Sequence, residues 1–321
     1  MSDLETKPTL KECGGREDVS AEPALELTPG REVSIGDDRP VRRMLPTLGR
    51  RMVGPWCFLD HYGPDDIADG PGAQVAPHPH MGLQTVSWLR EGEMLHRDSE
   101  GHTATILPGH LGLMTSGRGI SHSEESPVPH ARFLHGVQLW VALPDGARNG
   151  DPHFELHTEL PRFEAPGVSG TVIMGEIDGA RSPGQAYSPI AGADLTLADD
   201  VDVRLPLERD FEYAVVATEP GAVVDGVPVP IGSLLYLGCG RRDVHIRTEA
   251  ASNLILVGGE PFAEKIVMWW NFVGRTSEEI AEARTQWQAE ERFGVVHGYH
   301  APRLDAPELP PTPLKPRGRV R

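Results

Sequence analysis

Short runs rich in apolar residues, separated by turn-forming residues, fill the middle of the chain. Gly, Pro or Asp divides these runs, and examples are QTVSWL, GVQLWVAL, GTVIMGEI, EYAVVATE, GSLLYLG and SNLILVGG. The 321-residue chain contains 36 glycines and 30 prolines, residues that punctuate turns. Runs of this length suit strands better than helices. The sequence therefore predicts an all-β protein, built as a sandwich or a barrel.

One segment near the C-terminus departs from this pattern and predicts a helix. In RTSEEIAEARTQWQAEERFG, Thr276 and Glu279 have the spacing of a capping box. Apolar residues then recur at helical spacing: Ile280, Ala283 and Trp287. Gly294 follows as a stop signal. We expect a short helix over about residues 277–293.

The formal net charge of −17 restricts the partners that the surface can attract. Such a surface repels phosphate backbones, so we do not expect direct binding of nucleic acid. No apolar run of about 18 residues occurs, so we expect no membrane-spanning helix. If the protein binds another protein, a basic partner fits this surface best.

The cysteines and the N-terminal segment indicate the compartment. Cys13, Cys57 and Cys239 are widely spaced, and no C-x-x-C pair occurs, which argues against a disulfide framework and against a thiolate zinc site. The first residues, MSDLETKPTLKECGG, lack the basic start and apolar run of a secretory signal. We expect a reducing, cytoplasmic environment.

The length suggests two domains, and a weak internal repeat supports two similar halves. PGHLGLMTSGRGISH (108–122) can be laid on IGSLLYLGCGRRDVH (231–245), so that His122 falls on His245. Glu124 then falls on Arg247, which cannot bind a metal, and we expect no metal site in the second half. The expected organisation is a flexible extension at 1–24, a first domain at 25–150, a linker beginning at 144–152 and running to about Pro166, a second domain at 165–297 and a flexible tail at 301–321.

Two pairs of potential ligands stand out in the first half. His78 and His80 flank Pro79 in PHPH, and His122 and Glu124 flank a serine in SHSEE. In a strand, residues i and i+2 point to the same face, so each pair can aim two ligands in one direction. Three imidazoles and one carboxylate suit Fe(II), Mn, Ni, Cu or Zn. The remaining histidines, His96 and His102 among them, are expected to have surface or supporting roles.

These motifs resemble those of one family. H-P-H-x-G (78–82), E-G-E-x-x-H-R-D-S-x-G (91–101) and P-G-x-x-x-x-M-T-x-G-R-G-I-x-H-S-E (108–124) closely resemble the pirin family of bicupin proteins. FLDHYGP, LQTVSWL, QLWVALP and GGEPFAEKIV are similar to further family segments, so the resemblance covers roughly residues 30–295.

The resemblance implies two cupin-type antiparallel β-barrels with a short C-terminal helix. It makes His78, His80, His122 and Glu124 the iron ligands of the first barrel, and it implies that the second barrel is metal-free. One departure concerns the residues after H-P-H-x-G. Family members commonly have Glu where this chain has Leu83-Gln84, and this leaves Glu124 as the expected carboxylate ligand.

Two functions remain open from the sequence. Some pirin-like proteins are quercetin 2,3-dioxygenases, which implies an aromatic substrate, O2, one divalent metal such as Fe(II), and Glu124 as a general base. Met114, Trp88 and Phe58 could line an apolar pocket, although core packing is the alternative for each. Other family members resemble regulatory partners, which implies a non-catalytic, redox-responsive protein that binds another protein. A structural zinc site fits less well, because such sites favour cysteine.

Overall fold

The computed structural model describes residues 11–14, 22–35, 39–47 and 49–311. Among them the chain forms twenty-six strands and one α-helix, which confirms the all-β prediction. The other residues of the expected N-terminal extension and C-terminal tail lie outside the described part of the chain. The described helix is too short and too polar to cross a bilayer.

The first half of the chain contains a seven-stranded and a four-stranded sheet that face each other. The strands up to its end are β1 (Lys11–Gly14), β2 (Pro23–Pro29), β3 (Arg31–Ile35), β4 (Arg39–Leu45), β5 (Trp56–Asp66), β6 (Gln74–His80), β7 (Leu83–Glu91), β8 (Met94–Asp98), β9 (Thr103–Ile106), β10 (Leu111–Thr115), β11 (Ile120–Glu125), β12 (Phe133–Ala142) and β13 (His153–His157). The larger sheet has the order β13-β10-β7-β12-β5-β4-β3, and the smaller has the order β6-β11-β8-β9.

The second half repeats this arrangement. Its elements are β14 (Arg162–Ala165), β15 (Val168–Ile177), β16 (Ala180–Arg181), β17 (Ile190–Leu197), β18 (Asp202–Pro206), β19 (Glu212–Ala217), β20 (Ala222–Val224), β21 (Val227–Pro228), β22 (Ser233–Gly238), β23 (Asp243–Thr248), β24 (Ser252–Gly259), β25 (Lys265–Trp269), β26 (Phe272–Gly274) and α1 (Ser277–Gln288). The larger sheet has the order β14-β15-β17-β24-β19-β22-β2, and the smaller has the order β18-β23-β20-β21.

The two halves have the same topology except for β16, which pairs with β15 and has no counterpart in the first half. β10 and β11 occupy the places in the first half that β22 and β23 occupy in the second, as the internal repeat predicts. Each half consists of two facing sheets rather than one continuously closed sheet. The described part of the chain is therefore a pair of related, cupin-like double-sheet units.

The halves exchange edge strands. β2 precedes the first half but pairs with β22 of the second, and β13 precedes the second half but pairs with β10 of the first. An unpaired sheet edge exposes backbone donors and acceptors, and each exchanged strand covers one such edge. This reciprocal pairing, which requires contacts between distant parts of the chain, could not be read from local sequence.

Apolar side chains fill the space between the two larger sheets. Leu59, Val137 and Leu139 of the first half pack with Val216 and Ile255 of the second in one continuous cluster. At its margin, a buried carboxylate joins the halves. Glu212 accepts hydrogen bonds from the backbone N–H of Gly54 at 2.5 Å and from the hydroxyl of Tyr236 at 2.7 Å.

The C-terminal segment returns to the first half and packs on it. β1, β25 and β26 form a small sheet, and Phe272 makes a backbone bridge with Met81, directly after the H-P-H strand. Gly82 makes this contact possible. Its φ is +73°, and a Cβ there would lie 2.0 Å from the carbonyl oxygen of Val273.

The helix begins as expected but ends earlier. The Thr276 side chain accepts a hydrogen bond from the backbone N–H of Glu279, which confirms the N-cap. The Glu279 carboxylate accepts a hydrogen bond from the backbone N–H of Arg275, where a capping box would use that of Thr276. The apolar residues of the motif are buried: Ile280, Ala283 and Trp287. The helix spans Ser277–Gln288, and Glu290 and Arg292 follow with positive φ. In the expected tail, Leu304 donates its N–H to the Pro77 carbonyl and accepts the Trp287 indole N–H, so this part is anchored.

Candidate metal centre

Three histidines meet inside the first half. His78 and His80 lie on β6, and His122 lies opposite His78 on the neighbouring antiparallel strand β11. All three side chains are buried. The i, i+2 spacing of the H-P-H motif sends both imidazoles to the interior face of β6, as the sequence predicts.

The three imidazoles are close enough to bind one ion. One ring nitrogen from each lies within 4.8 Å of the other two. The ring centroids are 5.0 Å apart for His78 and His80, 4.4 Å for His78 and His122, and 4.9 Å for His80 and His122. These residues could therefore bind a divalent metal.

The surroundings keep the imidazoles neutral, the form that binds metals. Burial lowers the pKa of His78 to about 4. Burial also lowers the pKa values of His80 and His122 well below 6.5, and the neighbouring imidazoles contribute in the same direction. An apolar environment disfavours the imidazolium form because it removes the water that solvates the charge.

Hydrogen bonds orient the rings. His78 binds the carbonyl oxygen of Ala76 through Nδ1 at 2.8 Å. His122 Nδ1 lies 3.3 Å from His96 Nδ1, and His122 Nε2 has no hydrogen-bond partner among the described residues. His80 forms a hydrogen bond with the backbone of Asn271, which precedes β26. A buried ring nitrogen without a protein partner fits a metal ligand.

Glu124 lies two residues beyond His122 and is also buried. The pairing of β11 with β6 shifts register between these residues, so Glu124 pairs with Val75 on β6. Ser87 donates a hydrogen bond to Glu124 Oε1 at 3.1 Å. The compact group of donor atoms contains the three histidines and not this carboxylate. Its role as a fourth ligand stays a prediction.

Aromatic residues border the histidines on one side. The ring of Trp140 lies edge-on to His80 with centroids 5.2 Å apart, and Phe58 stacks on Trp140 at 4.0 Å. The Trp140 indole N–H has no hydrogen-bond partner among the described residues. Trp88, by contrast, packs between the halves and donates its indole N–H to Asp194. Of the three suggested pocket residues, Phe58 is near the centre and Trp88 has a packing role.

The side-chain amide of Gln84 is held by residues outside the three-histidine cluster. Its side-chain amide donates hydrogen bonds to the hydroxyl of Thr115 and to the carbonyl oxygen of Gln185, both at 2.9 Å. It therefore ties the first half to the loop before β17.

The corresponding interior of the second half is apolar. β18 and β23 direct a set of aliphatic side chains into it: Val203, Leu205, Val244 and Ile246. His245 points the other way and binds Asp202 at 2.7 Å. The strands of the repeat correspond, but the alternation of β23 places its histidine on the opposite face from that of His122.

A chain of polar residues lies behind His122, and it gives His96 a supporting role, which is one of the two roles expected from the sequence. The segment EGEMLHRDSEGH forms the expected hairpin of β8 and β9, but His96 and Asp98 point inward and are buried. His96 stacks on Phe154 with centroids 4.0 Å apart. The alternation of H-R-D within a strand was the signal, since it puts the histidine and the aspartate on one face.

Comparison with known proteins agrees with this architecture. Two cupin-like units in one chain, with three clustered histidines in the first, make this protein a bicupin. Residues 38–141 match the family model Pirin, and residues 192–294 match the model described as the pirin C-terminal cupin domain. The chain belongs to the pirin family.

Relatives of two kinds are similar to this chain. A Pseudomonas aeruginosa protein, whose name assigns it provisionally as a quercetin 2,3-dioxygenase, is 43% identical over 89% of this chain and 91% of its own length. A pirin-like protein of Caulobacter vibrioides is 39% identical over 78% of this chain and 88% of its own. The crystal structure of a quercetin 2,3-dioxygenase from Acinetobacter baumannii has 42% identity and a TM-score of 0.87, covering 90% of this chain and 96% of that one.

Proposed function

We propose that this protein is a mononuclear metal-dependent dioxygenase of the quercetin 2,3-dioxygenase type, acting on a flavonol-like phenol in the cytoplasm. The observation that carries the proposal is the cluster of three buried, neutral imidazoles whose donor atoms lie within 4.8 Å of one another. The similarity to proteins named as quercetin 2,3-dioxygenases supports the choice of substrate class.

His78, His80 and His122 would hold the metal, with Glu124 as the fourth ligand. Neutral nitrogen donors with one carboxylate suit Fe(II), our first choice, and also Mn, Ni, Co, Cu or Zn. When bound, the metal would act as a Lewis acid that lowers the pKa of a substrate hydroxyl. The absence of cysteine from this ligand set argues against a purely structural zinc.

Glu124 is also the proposed general base, and it would leave the metal or shift to accept the substrate proton. Its carboxylate lies in the same interior as the imidazoles, and Ser87 holds Oε1 by a 3.1 Å hydrogen bond. A carboxylate fixed in this way can accept the proton of a phenolic hydroxyl bound beside it. The surrounding side chains exclude bulk water, which strengthens the electrostatic interactions of the carboxylate.

The aromatic wall of Trp140 and Phe58 would contact the substrate. These stacked rings offer apolar surface next to His80, and the buried indole N–H of Trp140 offers a donor for a phenolic or carbonyl oxygen. Such a combination of flat apolar surface and a few polar groups is typical of small-molecule sites.

The test is anaerobic loading of the apoprotein with Fe(II), Mn(II), Ni(II), Co(II) or Cu(II), followed by quercetin and oxygen. We expect quercetin-dependent O2 uptake with at least one metal, and isotopic label from O2 in the organic product. The His80→Ala variant should show neither, whereas His245→Ala, which changes a histidine outside the centre, should behave as the wild type.

The regulatory alternative gives a different result in the same experiment. If this protein is a non-catalytic, metal-responsive regulator, it will bind the ions without consuming quercetin or oxygen. Metal binding with no O2 uptake for any of the five ions would therefore reject the enzymatic proposal, and partner recovery under ferrous and ferric conditions would then be the next comparison.

A further inference from the structure

A continuous chain of polar contacts runs from His122 to the surface. His122 Nδ1 lies 3.3 Å from His96 Nδ1, and His96 Nε2 lies 3.1 Å from Asp98 Oδ2. His102 Nδ1 contacts both carboxylate oxygens of Asp98, at 3.1 and 3.0 Å. The first three side chains are buried, and the His102 side chain is 42% exposed.

The carboxylate at the centre of this chain is held in place by the backbone. Asp98 Oδ1 accepts the N–H groups of Glu100 at 3.0 Å and His102 at 2.9 Å in the turn between β8 and β9. Burial raises the pKa of Asp98, but the hydrogen bonds from His96 and from the His102 backbone outweigh this and hold that pKa below its ordinary value. Asp98 is therefore an anion that can only accept hydrogen bonds.

The direction of each hydrogen bond follows from this anion. Because Asp98 only accepts, His96 carries a proton on Nε2, and the Nε2–H tautomer of His96 has a hydrogen-bond acceptor at Nδ1. His122 must donate from Nδ1 to that nitrogen, so the lone pair of His122 is placed on Nε2. Nε2 is also the atom of His122 that has no partner among the described residues.

We infer that His96 and Asp98 are positioning residues that fix the Nδ1–H tautomer of His122 and so prepare its Nε2 for metal binding. The inference rests on the proposed metal centre and adds a determinant of its affinity. Residues that fix a ligand histidine in this way typically contribute 10- to 100-fold in metal affinity. His96 stacks on Phe154, and this contact holds the His96 imidazole in its place between His122 and Asp98.

Two substitutions test the inference in complementary ways. Asp98→Asn keeps an oxygen for the two backbone N–H groups but can present an amide N–H to His96, which reverses the donor and acceptor order along the chain. His96→Phe keeps a ring to stack on Phe154 but cannot accept a hydrogen bond. His102→Gln is the matched control, since it changes the outer end of the chain and leaves the contact between His96 and Asp98.

The first readout needs no metal. Long-range proton–nitrogen NMR of the histidine-labelled apoprotein reports the tautomer of each imidazole. We expect His122 to carry its proton on Nδ1 in the wild type and in His102→Gln, and to lose this preference in Asp98→Asn and His96→Phe. An unchanged His122 tautomer in both test variants would overturn the inference, even if the wild type proved inactive toward quercetin.

The second readout is metal affinity, measured by competition of Fe(II), Ni(II) and Zn(II) with a chelator. We expect a loss of about 10- to 100-fold in the two test variants and a change below about threefold in His102→Gln. Affinities equal to the wild type in both test variants, with native near-UV circular dichroism, would also overturn the inference. His96→Gln replaces His96→Phe if the latter does not fold.

Discussion

His78 and His122 are direct cross-strand partners on β6 and β11, and their rings meet edge-on with centroids 4.4 Å apart. Directly opposed side chains in an antiparallel pair have their Cβ atoms about 5 Å apart, which suits two ligands of one ion. His80 follows on the same face of β6, so the three imidazoles share one side of a two-stranded ladder. Further contacts of the centre come from His96 on the adjacent strand β8, from Trp140 on the facing sheet and from Asn271 in the C-terminal segment.

Each of the three histidines should be needed for tight metal binding. His78→Ala, His80→Ala and His122→Ala each remove one donor from a small set, so we expect each to lose more affinity than the roughly 10- to 100-fold typical of a residue that only positions a ligand, and to retain little metal after extensive dialysis. Mass spectrometry of the purified proteins provides the measurement. His245→Ala is the control, and a similar loss in that variant would contradict a single centre in the first half.

Glu124→Gln should separate catalysis from folding. The amide has nearly the same shape and can still accept the Ser87 hydrogen bond, but it cannot take up a proton. Because general bases typically contribute 10²- to 10⁴-fold, we expect kcat for quercetin to fall by at least about 100-fold. Metal content must be measured beside the rate. A variant with full metal occupancy and wild-type kcat would exclude Glu124 as the base.

The stability of the apoprotein should fall as pH decreases from 6.5 toward 4. The pKa of His78 is about 4 in the folded protein against 6.5 when unfolded, so only the unfolded chain binds a proton in that window. The contribution of His78 to the free energy of unfolding is fully present above pH 6.5. It falls by about 3 kcal/mol as the pH decreases through 4. Urea unfolding monitored by tryptophan fluorescence measures this dependence. His78→Phe keeps a ring but has no site for a proton, so its free energy of unfolding should change less steeply with pH than that of the wild type. An equal slope in the two proteins would exclude the contribution of His78.

Gly82 should be much less tolerant of a side chain than Gly109. Both have positive φ, +73° and +81°, but a Cβ at Gly82 would meet the Val273 carbonyl, whereas nothing lies within 4 Å at Gly109. Gly109→Ala should cost only the backbone strain, about 1–2 kcal/mol. Gly82→Ala should cost at least twice as much, since it also displaces the C-terminal segment, and it should weaken metal binding because Asn271 contacts His80. If urea unfolding shows that Gly82→Ala and Gly109→Ala lose the same free energy of unfolding, the close contact of Gly82 with Val273 does not matter for stability.

Breaking the buried ion pair of Arg43 and Asp60 should be costly. Arg43 Nε and Nη2 each donate a 2.8 Å hydrogen bond to one carboxylate oxygen of Asp60, and both side chains are almost fully buried. Asp60→Ala leaves a buried guanidinium without its carboxylate, so we expect a loss of about 3–5 kcal/mol in the free energy of unfolding. The double variant Arg43→Met, Asp60→Leu should lose less than Asp60→Ala. A double variant that is the less stable of the two would contradict this explanation.

The strand content and the shared face of His78 and His80 could be predicted because both depend on local periodicity. Short apolar runs between turn residues indicate strands wherever they pack, and an H-x-H spacing puts two imidazoles on one face of any strand. The cap at Thr276 and the buried face of the helix follow from equally local rules. The helix end at Gln288 does not, because Glu290 and Arg292 adopt positive φ where the chain turns back over the first half.

The sequence by itself determined which residues can form strands and which can bind a metal, since side-chain chemistry and a period of two are properties of the local chain. Only the tertiary structure decided that β2 and β13 exchange sheets, that His245 faces away from the interior of its half, and that Asp98 stands behind His96 and His122. Each of these depends on strand register between distant segments, and a shift of one residue would move every side chain to the other face.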